Sequence, residues 1–306
     1  MSLHLCQLYG LTIASPFPLP GARPLGTAAT PDVTIAWEPE TAWRDVADSR
    51  QIPPHDPNAP HLGNTADGGL SIAWRRELQL VLAESHDRIT VVCTRAKLEF
   101  APTVLVGIGL GLLLHRRGIV CLHGSVIALN GRTFALLGDS GTGKSTAAAA
   151  LVAHGGTLIS DDIAALRPDG DGFAVAWGCA NVRLGPVASA RIVGTDQLAT
   201  VPWLDKLMWD VSGNDSGADR PPPRLDALYL LGPAADADGV TVGAPIALAR
   251  ALPRLVESWY PQHFTPLLTQ PRLDALRTIA ERVPMFDLSY PRRWDILPQL
   301  IAALRG

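Results

Sequence analysis

The sequence predicts an α/β fold, and three observations lead there. The first hundred residues are a succession of short apolar runs of strand length. An Asn130-Gly131 hairpin signal runs into a glycine-rich loop and an Ala-rich helix, and the C-terminal third alternates helical segments with strands. Hairpins mixed with βα units argue against a simple alternating doubly wound sheet. At 306 residues the chain suits one large core with a smaller unit appended, and its texture divides it into a β-rich domain over 1–100 and an α/β domain over 101–306.

Segments 33–37, 78–82 and 88–92 have the length and β-branched content of strands. Between 38 and 69, Pro, Asp, Asn and Gly dominate, most densely at 53–58, so a long loop is expected there. The apolar run 103–114 leads to His115-Arg116-Arg117 and reads as a buried helix over 103–117; it falls short of the roughly 20 residues that span a bilayer. Two apolar segments flank Asn130-Gly131, residue types that tolerate the positive φ of a tight hairpin turn. Residues 145–154 form a good helix without internal Gly or Pro, and Gly155-Gly156 supplies a left-handed stop. A short strand at 157–160 runs directly into Asp161-Asp162. Further strands surround the Asp169-Gly170-Asp171-Gly172 turn up to 184. A polar loop over 214–223 and a strand at 225–231 follow. Helices come next at 253–259 and 271–282, each with Pro in its first turn, then an extended stretch at 283–288 and a last helix within 294–304 whose start Pro298 delays.

Hydrophobic residues at 47% against 18% charged allow a sizeable core and exclude wholesale disorder. A formal net charge of -3 supplies no basic field of the kind that draws a protein to nucleic acid or to an anionic membrane surface, and with the apolar run 103–114 too short to span, neither nucleic acid nor membrane insertion is expected. Cys6, Cys93, Cys121 and Cys179 form no C-x-x-C pair, which excludes a zinc knuckle and leaves buried, reduced thiols. The chain does not open with a basic segment, a long apolar stretch and a small-residue cleavage site, so a cytoplasmic location is expected.

Gly138-x-x-x-x-Gly143-Lys144-Ser145 matches the phosphate-binding P-loop in full, with a strand before it and a helix after it. Glycines let successive backbone N–H groups turn inward around phosphates, and the positive end of the following helix adds to that field. Gly138, Asp139, Ser140, Gly141, Thr142, Gly143, Lys144, Ser145 and Thr146 are the expected nucleotide cradle. Lys144 would reach the β- and γ-phosphates and Ser145 would ligate Mg²⁺. Transfer to an alcohol needs one carboxylate for Mg²⁺ and another to take the proton. Asp161 and Asp162 stand directly after the strand that follows the P-loop helix and can divide those roles; a turn cap beside a solvated acid is the structural alternative. His123, among Val, Cys and Leu, reads on composition alone as a core histidine.

Residues 119–165, through His123-Gly124-Ser125, the Asn-Gly hairpin, the loop 138–145 and Asp161-Asp162, resemble the catalytic domain of bacterial HPr kinase/phosphorylase and its relatives in motif and in spacing. The resemblance implies a P-loop kinase fold of the HPr kinase / phosphoenolpyruvate carboxykinase type, with ATP and Mg²⁺ on the loop. It also implies that a His and the paired Asp residues flank the serine being phosphorylated. One of Asp161 and Asp162 would be the general base and the other would serve the metal, without a decision between them. His123 would tune the pair, Lys144 completes the catalytic set, and Ser145 with Asp162 is the metal pair expected. Where that family has a Glu-x-Arg-Gly segment, this chain has Asn181-Val182-Arg183-Leu184, which keeps the arginine and loses the acid. That departure bears against a phosphorylase activity and against recognition of HPr itself. The first hundred residues and the ending 283–293 look like the HPr-kinase-like proteins encoded with lasso peptide biosynthesis enzymes, which implies a precursor-peptide serine as acceptor.

Arg183, Lys206, Arg292 and Arg293 are candidates to offer positive charge to a transferring phosphoryl group or to the acceptor. Surface solvation is the competing use of the latter three. Trp203, Trp209, Trp259 and Tyr260 are candidates for a peptide groove, against core packing. The expected function is ATP- and Mg²⁺-dependent transfer of the terminal phosphoryl group to a hydroxyl of a peptide or protein. A small-molecule kinase and a nucleotide-dependent regulatory protein are the alternatives, and a homo-oligomer is left open.

Overall fold

The computed structural model describes residues 3–26, 29–52, 59–195, 198–201, 205–212, 220–232, 238–260 and 268–305. Trp203, the 53–58 cluster and most of the polar loop expected over 214–223 lie outside these residues. The described residues up to Ile119 form one compact unit, and nearly all from Val120 onward form a second.

In the first unit β1 (His4–Leu8), β2 (Leu11–Ser15), β3 (Arg23–Pro24), β4 (Val33–Glu38), β5 (Ala47–Gln51), β6 (His61–Asn64), β7 (Leu70–Trp74), β8 (Leu78–Leu82) and β9 (Arg88–Cys93) form one sheet among the described residues. Its order is β3-β1-β2-β4-β9-β8-β7-β6-β5. β5 and β6 pair within the stretch expected to be a long loop. β5 is an edge strand with almost every residue exposed, so no apolar alternation marks it in the sequence. A helical run follows: α1 (Ala101–Val104), a π-helical turn over 105–109 and α2 (Leu110–Arg116). It packs on β8, where Gly109 lets the backbone close on Leu80, since a Cβ there would sit 2.9 Å from that side chain. Contacts thus group this helix with the β-rich unit, which runs to Ile119.

The second unit is built on the hairpin of β10 (Val120–Leu129) and β11 (Arg132–Leu137), whose turn residues Asn130 and Gly131 have φ of 51° and 78°. Next come α3 (Lys144–Ala153), β12 (Thr157–Ser160), β13 (Ile163–Asp169), β14 (Gly172–Val175), β15 (Asn181–Leu184), α4 (Pro186–Ile192), β16 (Ala199–Thr200) and β17 (Leu207–Asp210). β18 (Ala227–Leu231), β19 (Thr241–Pro245), α5 (Leu248–Ser258), α6 (Gln270–Arg282), β20 (Met285–Ser289) and α7 (Leu297–Leu304) complete it. The main sheet is mixed, in the order β14-β13-β10-β11-β18-β20-β19, with β12 as a second neighbour of β10; β15, β17 and β16 form a separate small sheet. β18 runs parallel to both β11 and β20. α3 lies against this framework through Ala147–Leu151, buried with Ile127, Phe134 and Leu136 of the hairpin and with Leu300 and Ile301 of α7. Its run of alanines lets the helix lie close to the sheet. α5 begins at Leu248, five residues before the expected start, and Pro253 lies inside it. Burial of Ala251, Leu255 and Ser258 at helical spacing fixes that register.

The sheet forks at β10. Residues Val120–His123 pair with β13 and Val126–Ala128 with β12, so the Asp161-Asp162 corner between those two strands docks against the middle of β10. The Ser160 hydroxyl closes the corner by donating to the Ile163 carbonyl at 2.6 Å.

Candidate active site

β11 delivers the chain to the loop 138–143, and α3 starts at Lys144. Gly138 has φ 143°, and a Cβ there would lie 2.9 Å from the Leu231 carbonyl of β18, so both conformation and proximity require glycine. Gly143, at the helix N-cap, has φ 100° and faces the Tyr290 hydroxyl. No side chain caps α3. The first N–H groups of a helix have no intrahelical acceptor, so the amides at 144–146 are presented to an anion together with the helix dipole. Lys144 is 7% exposed and folds over the loop, donating to the Gly138 carbonyl at 2.6 Å and the Asp139 carbonyl at 2.9 Å. Its burial lowers the ammonium's proton affinity against the opposing charges of Asp161, Asp162 and Asp139.

The adjacent aspartates face different partners. Asp161, 4% exposed, accepts from the Ser125 hydroxyl at 2.6 Å and the Ser145 hydroxyl at 3.4 Å through Oδ1, and from the Arg183 N–H at 3.4 Å through Oδ2. Burial pushes its carboxyl up against the Ser125 hydrogen bond, and the neighbouring Asp162 charge adds to the rise. Asp162 accepts from the Arg183 guanidinium at 3.3 Å and lies 3.3 Å from His123 Nδ1. Burial would raise the Asp162 carboxyl too, but the Arg183 charge, the His123 hydrogen bond and charge, and Lys206 outweigh it and hold the group well below the usual carboxylate range. His123 Nδ1 is also 3.1 Å from the Asp162 carbonyl, and the Gly124 N–H donates to that carbonyl at 3.3 Å. The pair therefore consists of one buried carboxylate turned to Ser145 and one partly open carboxylate wrapped by cationic and imidazole groups.

It is Asp161, not Asp162, that lies against Ser145. A hydroxyl and a carboxylate oxygen 3.4 Å apart beside the start of α3 are hard oxygen donors of the kind Mg²⁺ prefers, and Ser145 and Asp161 would be the residues to hold it. Among the described residues no group of three or more His, Cys, Asp or Glu side chains could hold a metal ion. The glycine conformations, the uncapped helix start and the buried Lys144 fit the phosphates of a nucleotide.

Of the remaining candidates, Arg183 joins the cluster directly, bonding both aspartates. Lys206 is exposed, but its charge is felt by both Asp162 and Lys144. Arg292 is exposed and acts on Tyr290, whereas Arg293 is turned to Asp295 at 3.5 Å. Trp259 is 1% exposed and belongs to the core, and Trp209 packs against the α3 core. Tyr260 stands with its ring centroid 6.3 Å from that of His123. Two residues with no role assigned from the sequence adjoin the site. Ser125 holds Asp161, and Tyr290, whose phenol burial pushes up to about 12, covers Gly143. Ser125 was open to discovery, since it follows His123 by two on the same strand; Tyr290, far off in sequence, carried no such signal.

No protein-family model matches the chain. A stretch of 81 residues is 38% identical to the HPr kinase/phosphorylase of Mycoplasmopsis pulmonis (strain UAB CTIP); it covers 26% of this chain and 25% of that relative, so the chain spans about a quarter of the relative's length. The solved Hpr(Ser) kinase/phosphatase of Coxiella burnetii aligns over 60% of this chain and 93% of its own at 12% identity, with a TM-score of 0.32.

Proposed function

We propose that this protein is an ATP- and Mg²⁺-dependent kinase that transfers the terminal phosphoryl group to a serine hydroxyl of a peptide or protein. The observation that carries the reading is the division of the adjacent aspartates at the P-loop, Asp161 against Ser145 and Ser125 and Asp162 against His123 and Arg183. The 81-residue likeness to an HPr kinase/phosphorylase supports the same chemistry. MgATP on the loop supplies the phosphoryl group and a metal that offsets its developing charge. Asp161 and Ser145 hold the metal, so the metal pair is Ser145 with Asp161. Asp162 accepts a hydrogen bond from the acceptor hydroxyl and takes its proton as the oxygen bonds to phosphorus and the bond to the leaving oxygen breaks. Asp162 is held ionised and so can accept that hydrogen bond at neutral pH, while the same cationic neighbours make it a weak base. His123 and Arg183 fix its orientation, and Arg183, Lys144 and Lys206 place positive charge beside the transferring group. Within the peptide class, a ribosomal precursor peptide of the lasso type is the acceptor favoured by the likeness of residues 1–100 and 283–293 to kinases of that setting.

The test offers γ-labelled MgATP with separate pools of serine peptides and of small metabolites. Label should enter peptide as phosphoserine and be lost in Lys144→Ala and Asp162→Asn. Label confined to the metabolite pool, or tight ATP binding without any labelled acceptor, would sink the proposal.

A further inference from the structure

β10 meets the Asp161-Asp162 corner at its fork, and the two residues that do so lie two apart on the same face of the strand: His123 reaches Asp162, and Ser125 reaches Asp161. Ser125 is 1% exposed, and its 2.6 Å hydrogen bond is the shortest that Asp161 makes. The acceptor atom, Oδ1, is the same oxygen that faces the Ser145 hydroxyl. Gly124 between them cannot carry a side chain, since a Cβ would lie 2.6 Å from the Leu136 carbonyl, so β10 hugs β11 there and Ser125 has little freedom to move.

We propose that Ser125 is a positioning residue for the divalent metal: its buried hydroxyl donates to Asp161 Oδ1 and holds that carboxylate oriented toward Ser145. The inference rests on the assignment of Asp161 and Ser145 to the metal made above. With Ser125 removed, Asp161 Oδ1 keeps only the 3.4 Å contact to Ser145, and the carboxylate can rotate away. Hydrogen bonds that orient a ligating carboxylate are commonly worth 10- to 100-fold in metal affinity.

The experiment titrates a fluorescent ATP analogue against the full chain at increasing Mg²⁺ and, separately, in EDTA. In Ser125→Ala the half-saturating Mg²⁺ should rise about tenfold while affinity in EDTA stays within about twofold. Ser125→Thr, which keeps the donor, should restore the wild-type midpoint, and Ser125→Cys, close in size with a weak donor, should fall between. If Ser125→Ala is too unstable to assay, the Cys and Thr variants carry the comparison. A Mg²⁺ midpoint unmoved in Ser125→Ala and Ser125→Cys, or one that moves equally in the Thr variant, would overturn the inference while leaving the kinase reading intact. Nucleotide binding by the wild type that does not depend on Mg²⁺ would instead remove the metal assignment, and this inference with it.

Discussion

Replacing Arg183 by Ala measures how strongly its guanidinium holds Asp162. The two groups are 3.3 Å apart, with side chains 23% and 24% exposed. Opposite unit charges about 4 Å apart attract by about 4 kcal/mol at an effective dielectric of about 20. Both groups have given up part of their hydration, which offsets roughly half of that and leaves a coupling of about 2 kcal/mol. A double-mutant cycle isolates the coupling, with Arg183→Ala, Asp162→Asn and the double variant each unfolded in urea at pH 7. Asn suits position 162 because φ there is 77°, a left-handed conformation that Asn adopts readily. The pH dependence has a definite sign. Asp162's carboxyl is depressed in the folded state, so its contribution is present above the unfolded value of about 4 and lost as pH falls through the folded value. Without Arg183 the folded value rises, and the variant's penalty should be full at pH 7 and shrink as acid neutralises Asp162. A coupling under about 0.5 kcal/mol, or a penalty that grows as pH falls, would refute the reasoning.

Two further outcomes are expected. Gly143→Ala places an L side chain at φ 100°, at a cost of about 1–2 kcal/mol in loop conformation. The new methyl would only touch the Tyr290 hydroxyl at 3.5 Å, and in the variant the nucleotide-free loop relaxes out of φ 100° so that the cost falls on binding; calorimetric titration should find nucleotide affinity about tenfold weaker with the melting temperature little changed. Pro253→Ala, on the exposed side of α5, gives the Ala249 carbonyl the helical hydrogen bond that proline denies it. Differential scanning calorimetry should record a gain of about 1 kcal/mol; a loss would mean that the proline ring packs in a way the helix needs.

Local chemistry was readable where one residue type is almost the only solution. Asn130-Gly131 requires positive φ at both positions, and the structure has both. The loop 138–143 requires glycines at a close strand crossing, and Gly138 sits against β18. β5 could not be read because an exposed edge strand such as Ala47–Gln51 carries no apolar period, and its turn-forming neighbours outvoted it. α5 was mis-started because Pro253 is a good first-turn residue, yet burial of Ala251, before it in the chain, extends the helix upstream. The site's partners follow the same division. The aspartates were visible as residue types that do chemistry and His123 only through its place in the family motif, whereas which carboxylate meets Ser145 depends on a corner conformation that composition does not encode.

That corner explains why two adjacent acids can serve one site. In a continuing strand, successive side chains point to opposite faces, so neighbouring aspartates could not both reach partners on one face of β10. His123 and Ser125, two apart, do lie on one face, and each meets its own aspartate. The alternation is broken at Asp162, whose φ of 77° turns the chain out of β12 and into β13 at the point where β10 changes partner. Asp is one of the few non-glycine residues that take this conformation at modest cost, so the residue that makes the turn also supplies the second carboxylate. A β-branched or bulky residue at 162 would therefore remove more than a carboxylate. It would oppose the turn itself, pull Asp161 off Ser125, and couple loss of the carboxylate that faces His123 and Arg183 to displacement of the one that faces Ser145.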